Sequence, residues 1–585
     1  MLGFLRDQAH RRPDAPAIYS KPLQGDWCSI SRGQLWSRVT HLAAYLKQSG
    51  VAKGDRLAII APTSLEWEVS HLAAMLAGGI VIGLDGHDTA ERMQKVLENA
   101  AVNVLIVKDV SILNRLGEVA QQSKFVVLLS GAFDDMPTSV IQWDEIFKDA
   151  QLSDNREIPL PHGDEPATII YTSGTTGEPK GILYTHGQML LACQVILGVL
   201  PGPAPDARFI CWLPLSNLFQ RIMNQCALMT GSSLYMVADP LKVLEFVAQI
   251  RPDIFIGVPR FFEKLANGIK TKVASGKGMK GAIARSAMRV GARRANTIRN
   301  GATPSVLLKL QHRMADRLVL RRLRGLLGDR LQYLISGSAP SAPWVLEFFH
   351  SIGWLVLEAY GLSENILPMA MNTPNDYRFG TVGKLLPQNE IQFDSDGEVM
   401  VKSPGLFKGY YGDPDSFARV SDNGYYRTGD YGVLDDAGFL RLTGRKSEII
   451  KTSAGRRIAL PPIESTLREV SWVDHAVVLG SGRKCLAVLL TVDQAALPGT
   501  VLETVQLRHE LLVQIGQLAR HEQPAAAIII QRPFSVDGGE LTPNLKLRRM
   551  EIERKYKPAI ERLYAKLDAL SGEPATDQFF MDMHA

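Results

Sequence analysis

The sequence predicts an α/β protein, with a large N-terminal domain of layered sheets and helices followed by a smaller α+β domain. Three observations predict it. The chain has 585 residues, enough for more than one core. Short β-rich runs alternate with helical patterns over most of its length, which implies largely parallel sheets. After Gly432 the texture changes to short strands and turns (VLDDAGFLRLTGR), then to a compact α+β pattern from Ser447 to about Leu570. A content of 46% hydrophobic and 21% charged residues excludes a disordered or collagenous chain. The five cysteines are odd in number and contain no C-x-x-C pair, which argues against a disulfide framework or a Cys-rich zinc site and for a reducing, cytoplasmic setting.

The opening MLGFLRDQAHRRPD reads as a helix from Phe4 towards Ile18, and Arg6 and Asp7 interrupt the apolar run before it forms the core of an export signal. Strand signals follow at LAIIA (57–61), VNVLIV (102–107), KFVVLL (124–129), SLYMV (233–237), DIFIGV (253–258) and RLQYLISG (330–337). The most apolar stretch, Leu72–Leu84, has 13 residues, short of the roughly 20 that a spanning helix needs; it reads as a buried helix turning into a strand. Residues 270–324 hold 15 Lys and Arg against one acid, Asp316, within a chain of net charge +5. From Ser305 to Leu327, Leu310, Met314 and Leu318 recur at spacing four beside Arg313, Arg317 and Arg321, an amphipathic helix with a basic edge. That edge reads either as a solvated face or as a docking face for anionic lipid or a phosphorylated ligand. Residues 571–585 read as a loose end.

Several chemistries lack their motifs. Gly276-Lys-Gly-Met-Lys-Gly281 matches G-x-G-x-x-G but follows no strand and has no ribose-binding acid near it. There is no H-E-x-x-H, and Gly361-Leu-Ser363-Glu-Asn365 lacks the second glycine of a nucleophile elbow. The strongest signal is Thr168-Ile-Ile-Tyr-Thr-Ser-Gly-Thr-Thr-Gly-Glu-Pro-Lys-Gly181. A β-branched run breaks into a loop of hydroxyls and glycines closed by Pro-Lys-Gly. Glycine N–H groups, hydroxyl donors and a lysine point charge suit such a loop to wrapping phosphates. It is not a Walker loop, because Pro179 stands where that motif has glycine and Ile182-Leu-Tyr-Thr looks like a strand.

With Tyr360-Gly-Leu-Ser-Glu364, Tyr426-Arg-Thr-Gly-Asp430, Gly444-Arg445-Lys446 and Leu541-Thr-Pro-Asn-Leu-Lys546 in order behind it, this loop resembles the adenylate-forming family that includes acyl-CoA synthetases, luciferases and the adenylation domains of peptide synthetases. Within that family Trp212-Leu-Pro-Leu-Ser, Gly257-Val-Pro-Arg-Phe-Phe-Glu-Lys264 and Gly539-Glu-Leu-Thr-Pro-Asn look most like the long-chain fatty acyl-CoA synthetase branch.

The resemblance implies ATP, Mg²⁺ and CoA as reactants and cofactors, and an apolar carboxylic acid as substrate. Thr172, Ser173, Gly174, Thr175, Thr176 and Lys180 would hold the β- and γ-phosphates, and Glu364 the Mg²⁺. Ser338, Ala339, Pro340 and Tyr360 would form the adenine slot, with Ser363 beside them. Asp430 would accept the ribose hydroxyls and Arg445 donate to one, while Lys546 would bridge the carboxylate and α-phosphate oxygens. Asn217, Phe219 and Gly337 would mark the acyl pocket, and Lys451, Gly455, Arg456 and Arg457 the CoA side. Lys446 and Ser447 would be the hinge of a swinging C-terminal domain, with domains at 1–443 and 448–570, a hinge at 444–447 and a tail at 571–585. Three positions depart from the family pattern: Ser363 for Thr, Asn217 for a common His, and Ser447 for the usual charged hinge residue. An acyl-AMP ligase that loads an acyl carrier protein would use the same first-half residues. A non-catalytic, basic membrane-binding protein on a synthetase fold is the rival of another class. Residues 270–324 would make any peripheral membrane contact, and no nucleic-acid partner is expected.

Overall fold

The computed structural model describes all residues except 23–24, 132–138, 149–157, 174–178, 201–203, 205, 494–503, 537, 543–545, 570–579 and 585. The chain divides into two compact units. The first holds Met1–Gln392, Met400–Arg427 and Asp435–Leu440; the second holds Phe393–Val399, Thr428–Leu434 and Arg441–Ala585. The main stretch of the second unit begins at Arg441, beside the expected boundary at 443, and two earlier stretches, one of them carrying Asp430, cluster with it.

Two sheets organise the first unit. One has nine strands, in spatial order Lys384–Leu385, Asn365–Met371, Val356–Leu362, Tyr333–Ser336, Ile254–Gly257, Arg208–Cys211, Ser233–Met236, Pro16–Ser20 and Cys28–Ser31. The other has seven, in the order Val140–Gln142, Phe125–Leu128, Val104–Val107, Arg56–Ile60, Ile80–Leu84, Pro166–Ser173 and Pro179–Thr185. All six expected strand runs fall in these sheets, mostly in parallel pairs joined through helices, because a parallel pair needs a crossover connection. Leu65–Leu76 is the buried helix before the Ile80–Leu84 strand, and Ser64 caps it by accepting from Trp67 N. The opening helix stops at Arg11, and Pro16–Ser20 is a strand, so the expected helix towards Ile18 is too long. Pro13 and Pro16 explain the stop, since proline restricts the preceding residue to extended backbone.

In the second unit Val473–Leu479, Ala487–Val492, Ala526–Ile530 and Phe580–His584 form a four-stranded sheet. Its strands alternate between two cores: Ala476 and Val478 pack with Ile463, Leu467 and Leu511, while Val477 and Leu479 pack with Ile560 and Leu563. The expected loose end is corrected here. Phe580–His584 runs parallel to Ala526–Ile530 in full register, which satisfies backbone groups that an unpaired edge would expose.

The basic segment is helical. Gly278–Arg299 is one helix, preceded by the helix Pro259–Ala274 and not by a strand, as the dismissal of a dinucleotide loop at Gly276–Gly281 requires. Residues 306–327 form a second helical run, with a π turn at Asp316–Leu320. Among the described residues no helix is long and apolar enough to cross a membrane.

Candidate active site

The expected site residues divide between the two units. In the first unit the strands Pro166–Ser173 and Pro179–Thr185 pair antiparallel and set Thr172 opposite Lys180. Gly174, Thr175 and Thr176 lie outside the described residues, and Ser173 ends its strand. Gly181 lies at a close approach: a Cβ there would stand 3.0 Å from side-chain atoms of Ile169, Tyr171 and Tyr411. Lys180 Nζ lies 5.0 Å from the centre of the Tyr410 ring, and Tyr410 Oη donates to Glu364 Oε1 at 3.1 Å. Cation and carboxylate thus share one tyrosine. Burial, then the charge of Glu364, pushes the Tyr410 phenol up to about 12, so it stays a donor. The turn carrying Glu364 is held by Phe407 N on the Glu364 carbonyl at 2.9 Å and by Tyr184 Oη on the Ser363 carbonyl at 2.5 Å.

Ser338, Ala339 and Pro340 are exposed where the Tyr333–Ser336 strand ends, and Ser338 has a φ of +73°. The loop is anchored from below. Glu358 Oε1 accepts from Ser341 N at 2.8 Å, and the hydroxyls of Ser336 and Ser341 lie 2.9 Å apart. Glu358 is buried, and burial lifts its carboxyl to about 7 against the opposing Ser341 N–H. Tyr360, two residues along the same strand, is buried as well. Gly337 faces Phe219: a Cβ on it would lie 3.7 Å from that ring. Asn217 Oδ1 accepts from Phe219 N at 2.9 Å, which makes its side chain the N-cap of helix Leu218–Thr230.

In the second unit Arg445 Nε stands 3.4 Å from Asp430 Oδ1. Gly429, with a φ of +73°, turns the chain just before Asp430, and its N–H donates to Glu398 Oε1 at 2.9 Å. The other oxygen of Glu398 pairs with Lys446 Nζ at 3.2 Å, so one buried carboxylate ties the ribose-binding candidate to the hinge residue. Ser447 lies in a 3₁₀ turn, Lys446–Glu448. Lys546 is exposed, yet crowding by the protein and the nearby Arg445 hold its ammonium below the usual lysine value, with Glu448 opposing. Its loop is pinned on both sides: Lys546 N donates to Thr542 Oγ1 at 3.0 Å, and Arg548 N donates to the Glu540 carbonyl at 2.8 Å. Burial would raise the Glu540 carboxyl, but Arg532 and Lys555 overcome it and draw it down to about 2.

Lys451, Gly455, Arg456 and Arg457 sit on a small exposed hairpin, Ile449–Lys451 against Arg457–Ala459, closed by Thr452 N on the Arg456 carbonyl at 3.0 Å. Gly455 takes a φ of +80° there. Sequence reasoning missed Tyr410, Glu358, Glu398 and Glu540. Only Glu540 lay inside a quoted motif; the others act through partners distant in sequence, and no spacing pattern marks them.

The profile of the family described as AMP-binding enzyme matches residues 5–411, and that of the AMP-binding enzyme C-terminal domain matches residues 447–568. The chain is 29% identical over 580 residues to a long-chain-fatty-acid–CoA ligase, FadD15, of Mycobacterium bovis, covering 95% of this chain and 96% of that one. A putative fatty-acid–CoA ligase, fadD11, of Mycobacterium tuberculosis is 34% identical over 422 residues, covering 68% of this chain and 73% of its own. Among solved structures, the adenylation domain of a carboxylate reductase from Mycobacterium chelonae superimposes with a TM-score of 0.79 at 21% identity, covering 96% of this chain and 91% of that one.

Proposed function

Since the chain belongs to the AMP-binding enzymes, we propose that it is an ATP-dependent, AMP-forming ligase that activates a medium- or long-chain fatty acid and transfers the acyl group to CoA. Two side-chain groupings support the reading: Lys180 and Glu364 about Tyr410 in one unit, and in the other Arg445 beside Asp430 and close enough to Lys546 to depress its ammonium.

In the first half-reaction a carboxylate oxygen attacks the α-phosphorus of ATP, the bond to the bridging oxygen breaks, and pyrophosphate leaves. Two anions must meet, so placed cations and dipoles carry most of the work. Lys546 is assigned to the α-phosphate and carboxylate oxygens, and Thr172, Ser173, Gly174, Thr175, Thr176 and Lys180 to the departing pyrophosphate. Ser338, Ala339, Pro340 and Tyr360, with Ser363, take the adenine, and Asp430 and Arg445 the ribose. Glu364 offers a hard oxygen donor on the phosphate side, which suits Mg²⁺; the ion would neutralise phosphate charge there. Asn217, Phe219 and Gly337 border the acyl chain.

In the second half-reaction the CoA sulfur attacks the acyl carbonyl and AMP leaves. The C-terminal domain would turn about Lys446 and Ser447, withdrawing Lys546 and presenting Lys451, Gly455, Arg456 and Arg457 to CoA. An acid this apolar partitions into lipid, and residues 270–324 are the part of the chain suited to meet it there.

A panel of carboxylic acids assayed separately for pyrophosphate release and for thioester formation with CoA tests the reading. Both signals should rise together for fatty acids. Pyrophosphate release without any CoA turnover would move the acyl acceptor to a carrier protein, and no release with any acid would sink the ligase reading.

The hinge has its own test. Ser447→Pro fixes the φ of that residue near −65° and pushes Lys446 towards extended backbone, so it stiffens the turn at Lys446–Glu448 against rotation. Adenylation should survive, and thioester formation should fall by about tenfold or more, a factor that corresponds to roughly 1.4 kcal/mol of barrier. A variant unaffected in thioester formation would place the pivot elsewhere.

A further inference from the structure

The helical run 306–327 turns its apolar row away from the protein. Leu307, Leu310, Met314 and Leu318 are 66%, 56%, 63% and 50% exposed, while Leu308, Ala315, Leu320 and Leu327 are buried. Steps of three and four place the exposed four on one face. In an unbroken α-helix each step of four drifts by about 40°; the looser π turn at Asp316–Leu320 counters that drift and keeps Leu318 near the line of Met314. Single exposed apolar residues are ordinary, but a row along one helix is not.

A cation precedes each of the last three: Lys309 before Leu310, Arg313 before Met314, Arg317 before Leu318, with Arg321 one turn on. All four cations are exposed. The one acid of the segment, Asp316, is taken up by Arg324 at 2.7 Å, so it does not offset them. An apolar row flanked by a basic row matches the boundary between acyl chains and anionic headgroups. A second copy of this chain matches it poorly, because a two-fold contact would bring the same basic row against itself.

We propose that this face inserts into anionic lipid bilayers, with Leu307, Leu310, Met314 and Leu318 among the acyl chains and Lys309, Arg313, Arg317 and Arg321 on the headgroups. The benefit to catalysis rests on the fatty-acid reading given above, but the binding is a property of this surface and is tested without turnover of a fatty acid.

The experiment is co-sedimentation with vesicles of phosphatidylcholine containing phosphatidylglycerol, and of phosphatidylcholine alone, at low and high salt. The full chain should bind the anionic vesicles at low salt. The triple variant Leu310→Gln, Met314→Gln, Leu318→Gln should bind at least about thirtyfold more weakly, since three apolar side chains no longer leave water. The triple variant Arg313→Glu, Arg317→Glu, Arg321→Glu should lose the preference for anionic lipid and the salt dependence. Both variants should keep the wild-type melting temperature within a few degrees, the substitutions being on exposed positions. Leu318→Trp supplies a second measurement: its emission, taken as a difference from wild type, should shift to the blue on adding anionic vesicles. A wild-type protein that stays in solution at low salt, a glutamine variant that binds as wild type, or an unshifted emission from the Leu318→Trp variant would overturn the proposal. So would a concentration-dependent dimer dissolved by the glutamine substitutions, which would give the face to a second copy.

Discussion

Lys546→Ala should slow acyl-adenylate formation at least about a hundredfold while leaving thioester formation from supplied acyl-AMP close to wild type. One charge aimed at a transition state in which two anions meet is worth on the order of 3 kcal/mol. The loop is anchored by Thr542, Arg548 and the Glu540 pair with Lys555 at 2.8 Å, none of which uses the Lys546 side chain. Pyrophosphate release and acyl transfer, followed separately in the variant, check this. Equal losses in both would end the division of labour between the half-reactions.

Glu358→Gln should change how stability depends on pH. The carboxyl titrates at 4.5 in its ordinary state and at about 7 in the folded protein, because burial disfavours its charge. Between those values the folded chain keeps a proton that the unfolded chain has released, so folding weakens as pH rises through the window and the loss is complete above about 7. A shift of this size corresponds to about 3 kcal/mol for so buried a group. Glutamine cannot titrate; relative to wild type, the variant should therefore gain about that much between about pH 5 and about pH 8. Denaturant unfolding of both proteins at the two pH values measures it. A difference that does not change with pH would show that Glu358 titrates alike in both states. Because Glu358 holds Ser341 beneath Ser338, Ala339 and Pro340, the glutamine should preserve that loop by keeping one carbonyl acceptor.

Local patterns in the chain determined the strand runs, the buried Leu65–Leu76 helix and the hydroxyl-rich hairpin, because alternation, β-branching and Pro-Lys-Gly closure are properties of neighbours in sequence. The motif order likewise singled out Lys180, Glu364, Asp430, Arg445 and Lys546 as candidates. Tertiary structure alone decided what stands behind them. Tyr410 is 46 residues from Glu364, and Glu398 is 48 from Lys446 and 31 from Gly429. No local periodicity links such pairs; folding does, by bringing distant strands and turns together and leaving buried carboxylates to find donors wherever the chain supplies them. The same holds at 306–327. Spacing shows an amphipathic helix there, but whether the apolar row faces the core or the solvent depends on what the rest of the chain packs against it, and here the packing covers Leu308 and Leu320 and leaves Leu310, Met314 and Leu318 outside.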